Sequence, residues 1–526
     1  MPERTSRSAG EWPGTDLVAA RADATPEREA VVDAETGDAW TYRELDAWVA
    51  TVAARLRDRD GDPGRIGVLS APRPAFVALL HAGWRTGREL VPLNARLAPR
   101  ELAAQLDTAS VGAVLFDDEN RDLTREAVTH ADAPDDATMR ALDAVVAEPD
   151  EATSPTGTPP ADTETECVVS REDVPVTLFT SGSTGDPKPV RLTVGNLLAS
   201  ATASAFRLGV ARGDRWLSPL PTYHMGGLAP AIRCALYGAT VVLQRGFDPD
   251  ATASALATYD ATGTSLVPTA LDRLLDAGWT PEESLRYVLL GGAAASSDLL
   301  SRCEQAGVPV HPSWGMTETA SQIATATPAQ AFERPESVGQ PLVNTTVTVV
   351  DDDGDPLPRG EVGELVVAGP TVTPGYLDAT DATEDRSAFT EHGFHTGDRG
   401  YRDSDGTVYV TGRVDDMIVT GGENVYPMPV RDALRYLDVV ADAAVVGLPD
   451  PEWGERVAAL VVPADDADPD AAGVLAAVES SLADYERPKT VVVDDAIPRT
   501  ASGTVDRDAV RERLRATEES ADGDEA

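Results

Sequence analysis

The residues best suited to chemistry lie between Thr180 and Lys188, where two glycines and four hydroxyl side chains precede the lysine. Glycine lets a backbone approach a ligand closely, and successive amide groups in such a loop can form an anion-binding nest. Hydroxyl groups add donors, and Lys188 adds a mobile positive charge suited to a phosphate. The Walker spacing Gly-x4-Gly-Lys-Ser/Thr is absent. The segment therefore predicts a phosphate-binding loop, with a flexible Gly/Ser linker as the alternative.

Six short segments rich in glycine, hydroxyl and charged residues follow this loop. They are residues 221–227 (Pro-Thr-Tyr-His-Met-Gly-Gly), 289–294 (Leu-Leu-Gly-Gly-Ala-Ala), 313–319 (Ser-Trp-Gly-Met-Thr-Glu-Thr), 395–398 (His-Thr-Gly-Asp), 411–418 (Thr-Gly-Arg-Val-Asp-Asp-Met-Ile) and 421–427 (Gly-Gly-Glu-Asn-Val-Tyr-Pro). In this order, the loop and these segments resemble the adenylate-forming superfamily of acyl-CoA synthetases, peptide-synthetase adenylation domains and luciferases. The resemblance extends from about Thr41 to Arg511, nearly the whole chain.

The resemblance implies a reaction in two steps. A carboxylate attacks the α-phosphate of ATP to give an acyl-adenylate and pyrophosphate, and the thiol of coenzyme A then displaces AMP. The positions that the resemblance assigns to the nucleotide are Thr180, Ser181, Gly182, Ser183, Thr184, Gly185, Gly291, Gly292, Ala293, Trp314, Gly315, Met316, Thr317, Asp398 and Arg413. The positions that it assigns to catalysis are Lys188, Thr317, Glu318, Arg413 and His224.

Some of these assignments have a chemical reason. Glu318 is also assigned to Mg²⁺, which prefers hard oxygen ligands and bridges phosphates. Small residues at 291–293 would form a wall along which adenine slides, and Trp314 could stack on the base. Asp398 would accept both ribose hydroxyls. Taken alone, Asp398 could equally be a turn residue, and Glu318 a carboxylate at a helix N-terminus.

Two residues are assigned to the acid substrate. His224 matches the position that lines the acyl pocket in the family, although a lone histidine is more often structural. Arg233 lies nine residues further on, within a helix predicted over residues 228–236. An arginine there is costly to bury without an anion, so it could bind a second substrate carboxylate. A surface arginine is the alternative.

The C-terminal part of the chain is assigned to coenzyme A and to a hinge. The coenzyme A positions are Thr420, Gly421, Gly422, Trp453, Tyr485 and Lys489. Core packing is the alternative for Trp453 and Tyr485, whereas Lys489 stands out because lysine is so rare in this chain. Asp415 matches the hinge, about which the C-terminal domain would rotate between the two half-reactions.

One position departs from the family pattern. Residues 498–504 read Pro-Arg-Thr-Ala-Ser-Gly-Thr, with Thr504 where the family has a catalytic lysine. Loss of a positioned cation should raise the barrier to adenylation. Arg499, Arg507 or a bound K⁺ could substitute for it. The alternative is an adenylate-binding protein that is impaired in adenylation.

One subfamily is especially similar. Residues 315–324 (Gly-Met-Thr-Glu-Thr-Ala-Ser-Gln-Ile-Ala), 223–228, 232–233 and 237–238 resemble the o-succinylbenzoate–CoA ligases of menaquinone biosynthesis. The substrate of that subfamily has two carboxylates and an aromatic ring, which suits a pocket with His224 and Arg233. The resemblance therefore implies conversion of 2-succinylbenzoate to 2-succinylbenzoyl-CoA. A ligase for a medium-chain fatty acid or a simple aryl acid is the alternative.

The composition restricts the class of partner. The chain of 526 residues has 88 acidic and 44 basic side chains, a net charge of −44, and its only lysines are Lys188 and Lys489. Such a surface repels nucleic acids and anionic lipids, so we expect small-molecule partners, with a homo-oligomer left open. Acidic excess with scarce lysine suggests a halophilic protein in concentrated intracellular salt, where charge repulsion is screened.

Cysteine usage and hydropathy restrict the compartment. Cys167, Cys234 and Cys303 are too few and too widely spaced for a disulfide framework or a zinc site. No apolar run reaches the length of a membrane span, and the N-terminal residues lack an apolar signal core. We therefore expect a cytoplasmic protein without membrane insertion.

These segments need a scaffold that brings them together. Strand-like and helical patterns alternate in the first part of the chain, at residues 41–56 (helix), 65–70 (strand), 74–86 (helix), 90–93 (strand), 98–108 (helix) and 112–116 (strand). This alternation predicts an α/β fold with doubly wound, mainly parallel sheets. We predict a large N-terminal domain with a small β-barrel-like subdomain, then a small mobile α+β domain. The predicted limits are residues 1–414, residues 415–515 and a disordered acidic tail at 516–526.

Overall fold

The computed structural model describes residues 16–57, 64–131, 138–148, 169–180, 187–377, 388–421, 423–451, 453–464, 467–478, 481–499 and 505–524. In chain order, its strands are β1 (Glu29–Asp33), β2 (Ala39–Thr41), β3 (Arg65–Leu69), β4 (Glu89–Pro92), β5 (Val111–Phe116), β6 (Thr138–Ala141), β7 (Val176–Thr180), β8 (Lys188–Leu192), β9 (Arg215–Ser218), β10 (Thr240–Leu243), β11 (Gly263–Leu266), β12 (Tyr287–Leu290), β13 (Val310–Met316), β14 (Ser321–Thr325), β15 (Gln340–Pro341), β16 (Thr346–Val350), β17 (Gly363–Ala368), β18 (Phe389–Thr390), β19 (Gly393–Arg402), β20 (Val408–Arg413), β21 (Ile418–Thr420), β22 (Glu423–Val425), β23 (Val440–Asp450), β24 (Gly454–Pro463) and β25 (Thr490–Val493). The α-helices are α1 (Leu17–Ala24), α2 (Tyr42–Arg57), α3 (Pro74–Thr86), α4 (Pro99–Thr108), α5 (Arg121–His130), α6 (Leu142–Val146), α7 (Val194–Leu208), α8 (Met225–Tyr237), α9 (Pro249–Thr258), α10 (Pro268–Asp276), α11 (Ser297–Ala306), α12 (Pro328–Glu333), α13 (Pro427–Arg435), α14 (Ala471–Val478) and α15 (Arg507–Asp524).

The chain divides into two compact units. The first contains Met1–Val347 with Val367–Phe394, and the second contains Thr348–Val366 with His395–Ala526. The predicted boundary at Asp415 concerns a hinge between two functional poses, and it stays a prediction.

Two large sheets belong to the first unit. A six-stranded sheet has the order β6-β5-β3-β4-β7-β8, and all neighbours are parallel except the hairpin β7–β8. A nine-stranded sheet has the order β15-β14-β13-β12-β11-β9-β10-β1-β2. Its strands are parallel from β13 to β1 and antiparallel at both ends. Parallel strands connected by helices are the doubly wound pattern, so the predicted fold class is confirmed.

Local sequence signals explain several helix ends. Thr41 and Glu44 form the predicted capping box, because the Thr41 amide donates to Glu44 Oε2 at 2.8 Å and the Glu44 amide donates to the Thr41 hydroxyl oxygen at 3.3 Å. Helix α3 begins at Pro74, where the missing N–H costs nothing, and ends before Gly87 at φ 69°. Helix α8 likewise ends before Gly238 at φ 70°, a left-handed conformation that glycine adopts without strain.

One apolar core joins the two large sheets to helices α2, α3, α7 and α8. It contains, among others, Phe76, Leu197, Trp216 and Leu228. A second core packs α9, α10 and α11 against the nine-stranded sheet. Cys234 and Cys303 are free and buried, as small apolar residues would be, and Cys167 lies outside the described residues. Most residues of helix α8 are buried, so it is an interior helix. Its polar side chains therefore need hydrogen-bond partners inside the protein.

Two smaller sheets complete the fold. One has the order β16-β17-β19-β18, with β20 paired to β19. The other lies in the second unit and has the order β22-β21-β24-β23, with β25 parallel to β24. One apolar cluster packs α13 and α14 against this last sheet, and a separate cluster contains α15. The predicted α+β character of the C-terminal part is thus present.

The end of the chain differs from its predicted disorder. Helix α15 extends from Arg507 to Asp524 and so includes most of the acidic segment 516–526. Leu514 is fully buried and anchors the helix, and the residues after it include good helix formers, so further turns cost little. None of the helices in the described parts of the chain is both long and apolar enough to span a membrane.

Candidate active site

Strands β7 and β8 hold the two ends of the predicted phosphate loop. Thr180 and Lys188 face each other in this antiparallel pair, and the Thr180 hydroxyl donates to the Lys188 carbonyl at 3.4 Å. Residues 181–186 lie outside the described residues, and they include the five predicted nucleotide-binding positions Ser181, Gly182, Ser183, Thr184 and Gly185. Lys188 is therefore the first residue of β8, and pairing with β7 fixes the backbone from which its side chain extends.

The hairpin of β13 and β14 presents Thr317 and Glu318. Thr317–Thr319 form a short 3-10 helix between the strands, and positive φ angles follow at Ala320 (51°) and Ser321 (119°). A Cβ at Gly315 would lie 1.9 Å from the Ser321 carbonyl oxygen, so only glycine permits this close approach. Unusual φ angles outside glycine concentrate at functional sites, which agrees with the role predicted for this hairpin.

The carboxylate of Glu318 is half-buried and oriented by a tyrosine. The hydroxyl of Tyr376 donates to Glu318 Oε1 at 3.1 Å. The Nζ atom of Lys188 lies 5.7 Å from the centroid of the same Tyr376 ring, within the range of a cation–π contact. The structure therefore brings together the lysine and the carboxylate that the sequence assigns to phosphate and Mg²⁺.

Tyr376 is a residue that the sequence analysis missed. It lies in Gly-Tyr-Leu at residues 375–377, outside every segment that carried the family resemblance. The only local signal is a tyrosine after a glycine, which is too common to indicate a site. Its place next to Glu318, 58 residues earlier in the chain, is a tertiary fact.

The adenine wall predicted at residues 291–293 follows the end of β12. Gly291 is partly exposed, whereas Gly292 and Ala293 are exposed. Trp314, by contrast, is 7 % exposed, and Met316 beyond it is half-buried. A Cβ at Gly291 would lie 3.5 Å from the Ser313 hydroxyl, so the two segments are neighbours at the point where β12 ends. Exposed small residues are open to a flat ring, and stacking by Trp314 stays a prediction.

His224 is the N-cap residue of α8. Burial, reinforced by nearby Arg96, lowers the pKa of its imidazole to about 4. Its ring meets the Tyr223 ring edge-on, with centroids 4.6 Å apart. At neutral pH the imidazole is therefore uncharged, with one donor and one acceptor nitrogen for a ligand.

Arg233 is 1 % exposed, so the alternative of a surface arginine is wrong. Its guanidinium carbon lies 4.4 Å from the centroid of the Trp216 ring, and Nη2 donates to Gln322 Oε1 at 3.4 Å. Nε and Nη1 are buried without a hydrogen-bond partner among the described residues. Burial lowers the pKa of Arg233 to about 10. A buried cation with two unsatisfied N–H groups is costly in a protein interior.

An aromatic pair supports this arginine. Trp216, Gly263 and Tyr287 are in register on β9, β11 and β12. A Cβ at Gly263 would lie 1.7 Å from the Tyr287 ring, so glycine is required there. Its absence of a side chain lets the Trp216 and Tyr287 rings meet with centroids 5.0 Å apart. Arg233 thus rests on an apolar surface that cannot supply an anion.

Asp398 and Arg413 form an ion pair within the second unit. They are opposite each other on β19 and β20, and Arg413 Nη1 donates to Asp398 Oδ1 at 3.0 Å. Asp398 is 8 % exposed and Arg413 is half-buried. Gly397 has φ 68°, and a Cβ there would lie 2.8 Å from Arg413 Nη2. The arginine therefore fixes a carboxylate that the sequence assigns to the ribose.

Two of the predicted coenzyme A residues in the second unit have exposed rings, Trp453 and Tyr485, and Lys489 packs against the first of them. Trp453 is 42 % exposed and Tyr485 is 43 % exposed, so core packing is wrong for both. Lys489 Nζ lies 3.5 Å from the centroid of the Trp453 ring. The Gly421 amide donates to the Trp453 carbonyl at 2.8 Å, next to Thr420, which is 3 % exposed. Gly422 lies outside the described residues.

The structure describes the predicted hinge residue but not the position at which the chain departs from the family pattern. Asp415 lies in the short 3-10 helix Val414–Asp416. Thr504 lies outside the described residues. The two arginines proposed as substitutes for the missing lysine are both paired: Arg499 Nη2 donates to Asp442 at 2.8 Å, and Arg507 donates to Asp416.

Two family models match the chain. The AMP-binding enzyme model covers residues 18–377, and the model of the AMP-binding enzyme C-terminal domain covers residues 432–504. Among curated proteins, the 2-succinylbenzoate–CoA ligase of Bacillus velezensis is 36% identical over 497 residues, which is 94% of this chain and 96% of that protein. The enzyme of the same name from Geobacillus kaustophilus is 35% identical over 503 residues, 95% of this chain and 98% of that protein.

Solved structures of high similarity include o-succinylbenzoate CoA synthetase (MenE) from Bacillus subtilis. Its complex with the acyl-adenylate intermediate OSB-AMP matches with a TM-score of 0.84 at 32% identity, over 94% of this chain and 98% of that chain. Its complex with ATP and magnesium ion also matches with a TM-score of 0.84 at 32% identity, over 95% of this chain and 99% of that chain.

Proposed function

This chain belongs to the AMP-binding enzyme family, and we propose that it is the ATP-dependent ligase that converts 2-succinylbenzoate to 2-succinylbenzoyl-CoA in menaquinone biosynthesis. The observation that carries the choice of acid is Arg233, which is buried on the helix that follows His224 and has two unsatisfied N–H groups. Such a cation is stable when an anion meets it. 2-Succinylbenzoate retains one carboxylate after the other is activated, and the extensive similarity to ligases for this acid supports the choice.

In the first half-reaction, the acid carboxylate attacks the α-phosphorus of ATP and pyrophosphate leaves. The loop that ends at Lys188 holds the β- and γ-phosphates, and Thr317 contacts the α-phosphate. Glu318 suits Mg²⁺ because it is a half-buried carboxylate held by the Tyr376 hydroxyl at 3.1 Å. A Mg²⁺ ion held there would neutralise charge on the phosphates.

The remaining nucleotide groups orient AMP. Asp398 accepts the ribose hydroxyls, with its carboxylate fixed by Arg413 at 3.0 Å. Adenine lies along residues 291–293, whose small side chains allow close approach. None of these groups transfers a proton, so their contribution is positioning and electrostatic stabilisation.

His224 and Arg233 orient the acid. Burial lowers the pKa of the His224 imidazole to about 4, so the ring is neutral. It can therefore hydrogen-bond the substrate without attracting the attacking carboxylate away from ATP. Arg233 pairs with the second carboxylate and so selects a dicarboxylic acid.

In the second half-reaction, the coenzyme A thiol attacks the acyl carbonyl and AMP leaves. Lys489, stacked on Trp453 at 3.5 Å, and the exposed ring of Tyr485 hold coenzyme A. Thr420 with Gly421 and Gly422 borders the path of its pantetheine arm. The C-terminal domain, residues 415–515, rotates about Asp415 between the half-reactions.

The amino-acid composition indicates the kind of solution in which the protein works. A net charge of −44 with only two lysines suits the cytoplasm of a cell with concentrated salt, where screening weakens the repulsion between carboxylates. A K⁺ ion from that solution could replace the positive charge that Thr504 lacks.

A pyrophosphate-release screen over carboxylic acids tests the proposal. The full-length protein is assayed at high KCl with MgATP and coenzyme A, and the acids include 2-succinylbenzoate, medium-chain fatty acids and simple benzoates. We expect the highest kcat/KM for 2-succinylbenzoate, with a thioester product detected by mass spectrometry.

Two outcomes would contradict it. A strong signal for a fatty or benzoic acid without one for 2-succinylbenzoate would favour the alternative ligase. No pyrophosphate from any acid, with thioester still formed from a chemically prepared acyl-adenylate, would favour a protein impaired in adenylation.

A further inference from the structure

Residues 370–377, which we call the strap, cross the face of the Glu318 hairpin. Asn196 on α7 donates from Nδ2 to the carbonyl groups of residues 370 and 372 at 2.9 and 2.8 Å. The amide of Thr373 donates to the Glu318 carbonyl at 2.8 Å. The strap is therefore tied both to an interior helix and to the backbone of the residue assigned to Mg²⁺.

The strap ends with Tyr376 beside β8. Tyr376 forms an antiparallel bridge with Val190, two residues after Lys188. Its hydroxyl donates to Glu318 Oε1 at 3.1 Å, and Lys188 Nζ lies 5.7 Å from its ring centroid. The Tyr376 side chain thus contacts both Glu318 and Lys188, the two oppositely charged groups assigned to the metal and the phosphates.

We propose that Tyr376 is a positioning residue for the metal–nucleotide complex, which holds the Glu318 carboxylate through its hydroxyl and supports Lys188 on its ring. The inference rests on the proposed function only in that MgATP is the bound nucleotide.

The physical reason is that Tyr376 restrains the Glu318 carboxylate and the Lys188 ammonium without neutralising either charge. A phenol that donates to one carboxylate oxygen restricts the terminal torsion of Glu318 and leaves further lone pairs for a cation. Ordering that side chain in advance removes part of the entropy cost of binding. The phenol is neutral, so Glu318 keeps its full negative charge, whereas direct pairing with Lys188 would neutralise both groups. Contact with the ring face restrains the ammonium without removing its charge.

Two substitutions separate the hydroxyl from the ring. Tyr376→Phe keeps the ring under Lys188 and removes the donor to Glu318, whereas Tyr376→Leu removes both. Tyr436→Phe is the matched control, because the Tyr436 side chain is 90% exposed. ATP binding is measured by calorimetry without any acid, at a series of Mg²⁺ concentrations and in EDTA.

We expect Tyr376→Phe to raise the Mg²⁺ concentration for half-maximal ATP binding about tenfold, the effect of one lost hydrogen bond to a charged group. Its affinity for ATP in EDTA should equal that of the wild type. Tyr376→Leu should also weaken binding in EDTA, because Lys188 loses its support.

An unchanged Mg²⁺ dependence in Tyr376→Phe would overturn the proposal. So would an equal effect of Tyr376→Phe in the Glu318→Ala background, where the hydroxyl has no side-chain oxygen to hold. Thermal unfolding of each variant shows whether a loss reflects folding. Because no acid is present, an incorrect choice of acid leaves these binding measurements intact, so the two proposals fail separately.

Discussion

Replacement of Arg233 by methionine tests the role of the buried cation. Methionine has a similar length and no charge, so it fills the space above Trp216 without an unsatisfied N–H group. Burial lowers the pKa of Arg233 from its ordinary value to about 10. At 1.36 kcal/mol per pKa unit, this corresponds to a desolvation cost of about 3 kcal/mol in the ligand-free protein. A buried cation–π contact with Trp216 offsets about 2 kcal/mol of it.

The substitution should therefore separate stability from function. We expect the free energy of unfolding of ligand-free Arg233→Met to rise by about 1 kcal/mol, measured by urea denaturation at high KCl. For 2-succinylbenzoate, loss of the partner of a buried carboxylate should cost about 3 kcal/mol, or about a hundredfold in kcat/KM for pyrophosphate release. For the analogue that keeps the reacting carboxylate and lacks the other one, kcat/KM should fall no more than a few-fold.

The control is Arg273→Met, because Arg273 is exposed and its guanidinium lies 5.5 Å from the Phe247 ring centroid. This variant should change neither kcat/KM nor the preference between acids. Wild-type kinetics of Arg233→Met with 2-succinylbenzoate would contradict the role proposed for Arg233. An equal loss for the monocarboxylic analogue would contradict it as well, since the arginine would then act only on the fold.

Three further predictions concern other parts of the chain. Lys188→Ala should lower kcat for pyrophosphate release by about a hundredfold or more, while thioester formation from a prepared acyl-adenylate continues; equal losses in both steps would contradict this. Gly421→Ala should raise KM for coenzyme A about tenfold, because its Cβ would lie 2.6 Å from Trp453 at φ 60°, with unchanged pyrophosphate release. The pKa of fully buried His81 is lowered from 6.5 to about 4, so below pH 6.5 the unfolded chain binds a proton that the folded chain does not. Stability should therefore fall from pH 7 to pH 5, and His81→Leu should reduce that fall by about 2 kcal/mol in urea denaturation; an unchanged slope would exclude this source.

Signals that depend on neighbouring residues were sufficient for the fold class and for the family. The capping box at Thr41 and Glu44, the alternation of strands with helices, and the glycine-rich segments all act within a few residues of sequence. The order of those segments indicated the family, and the rarity of lysine singled out Lys188 and Lys489. The helix around Arg233 was also predicted, because its apolar periodicity is local.

Only the tertiary structure decided which of these side chains are buried and what they meet. Arg233 reaches Gln322, 89 residues away, and Tyr376 reaches Glu318, 58 residues away, and neither pairing leaves a trace in spacing. The exposure of Trp453 was equally undetermined, because the same residue type serves in cores and at ligand surfaces. Burial and long-range contact depend on how elements pack, whereas sequence periodicity reports only the face that an element turns toward its neighbours. The family and the list of chemical groups can therefore be read from the sequence, whereas the packing determines which charges are buried and which of their hydrogen bonds are made.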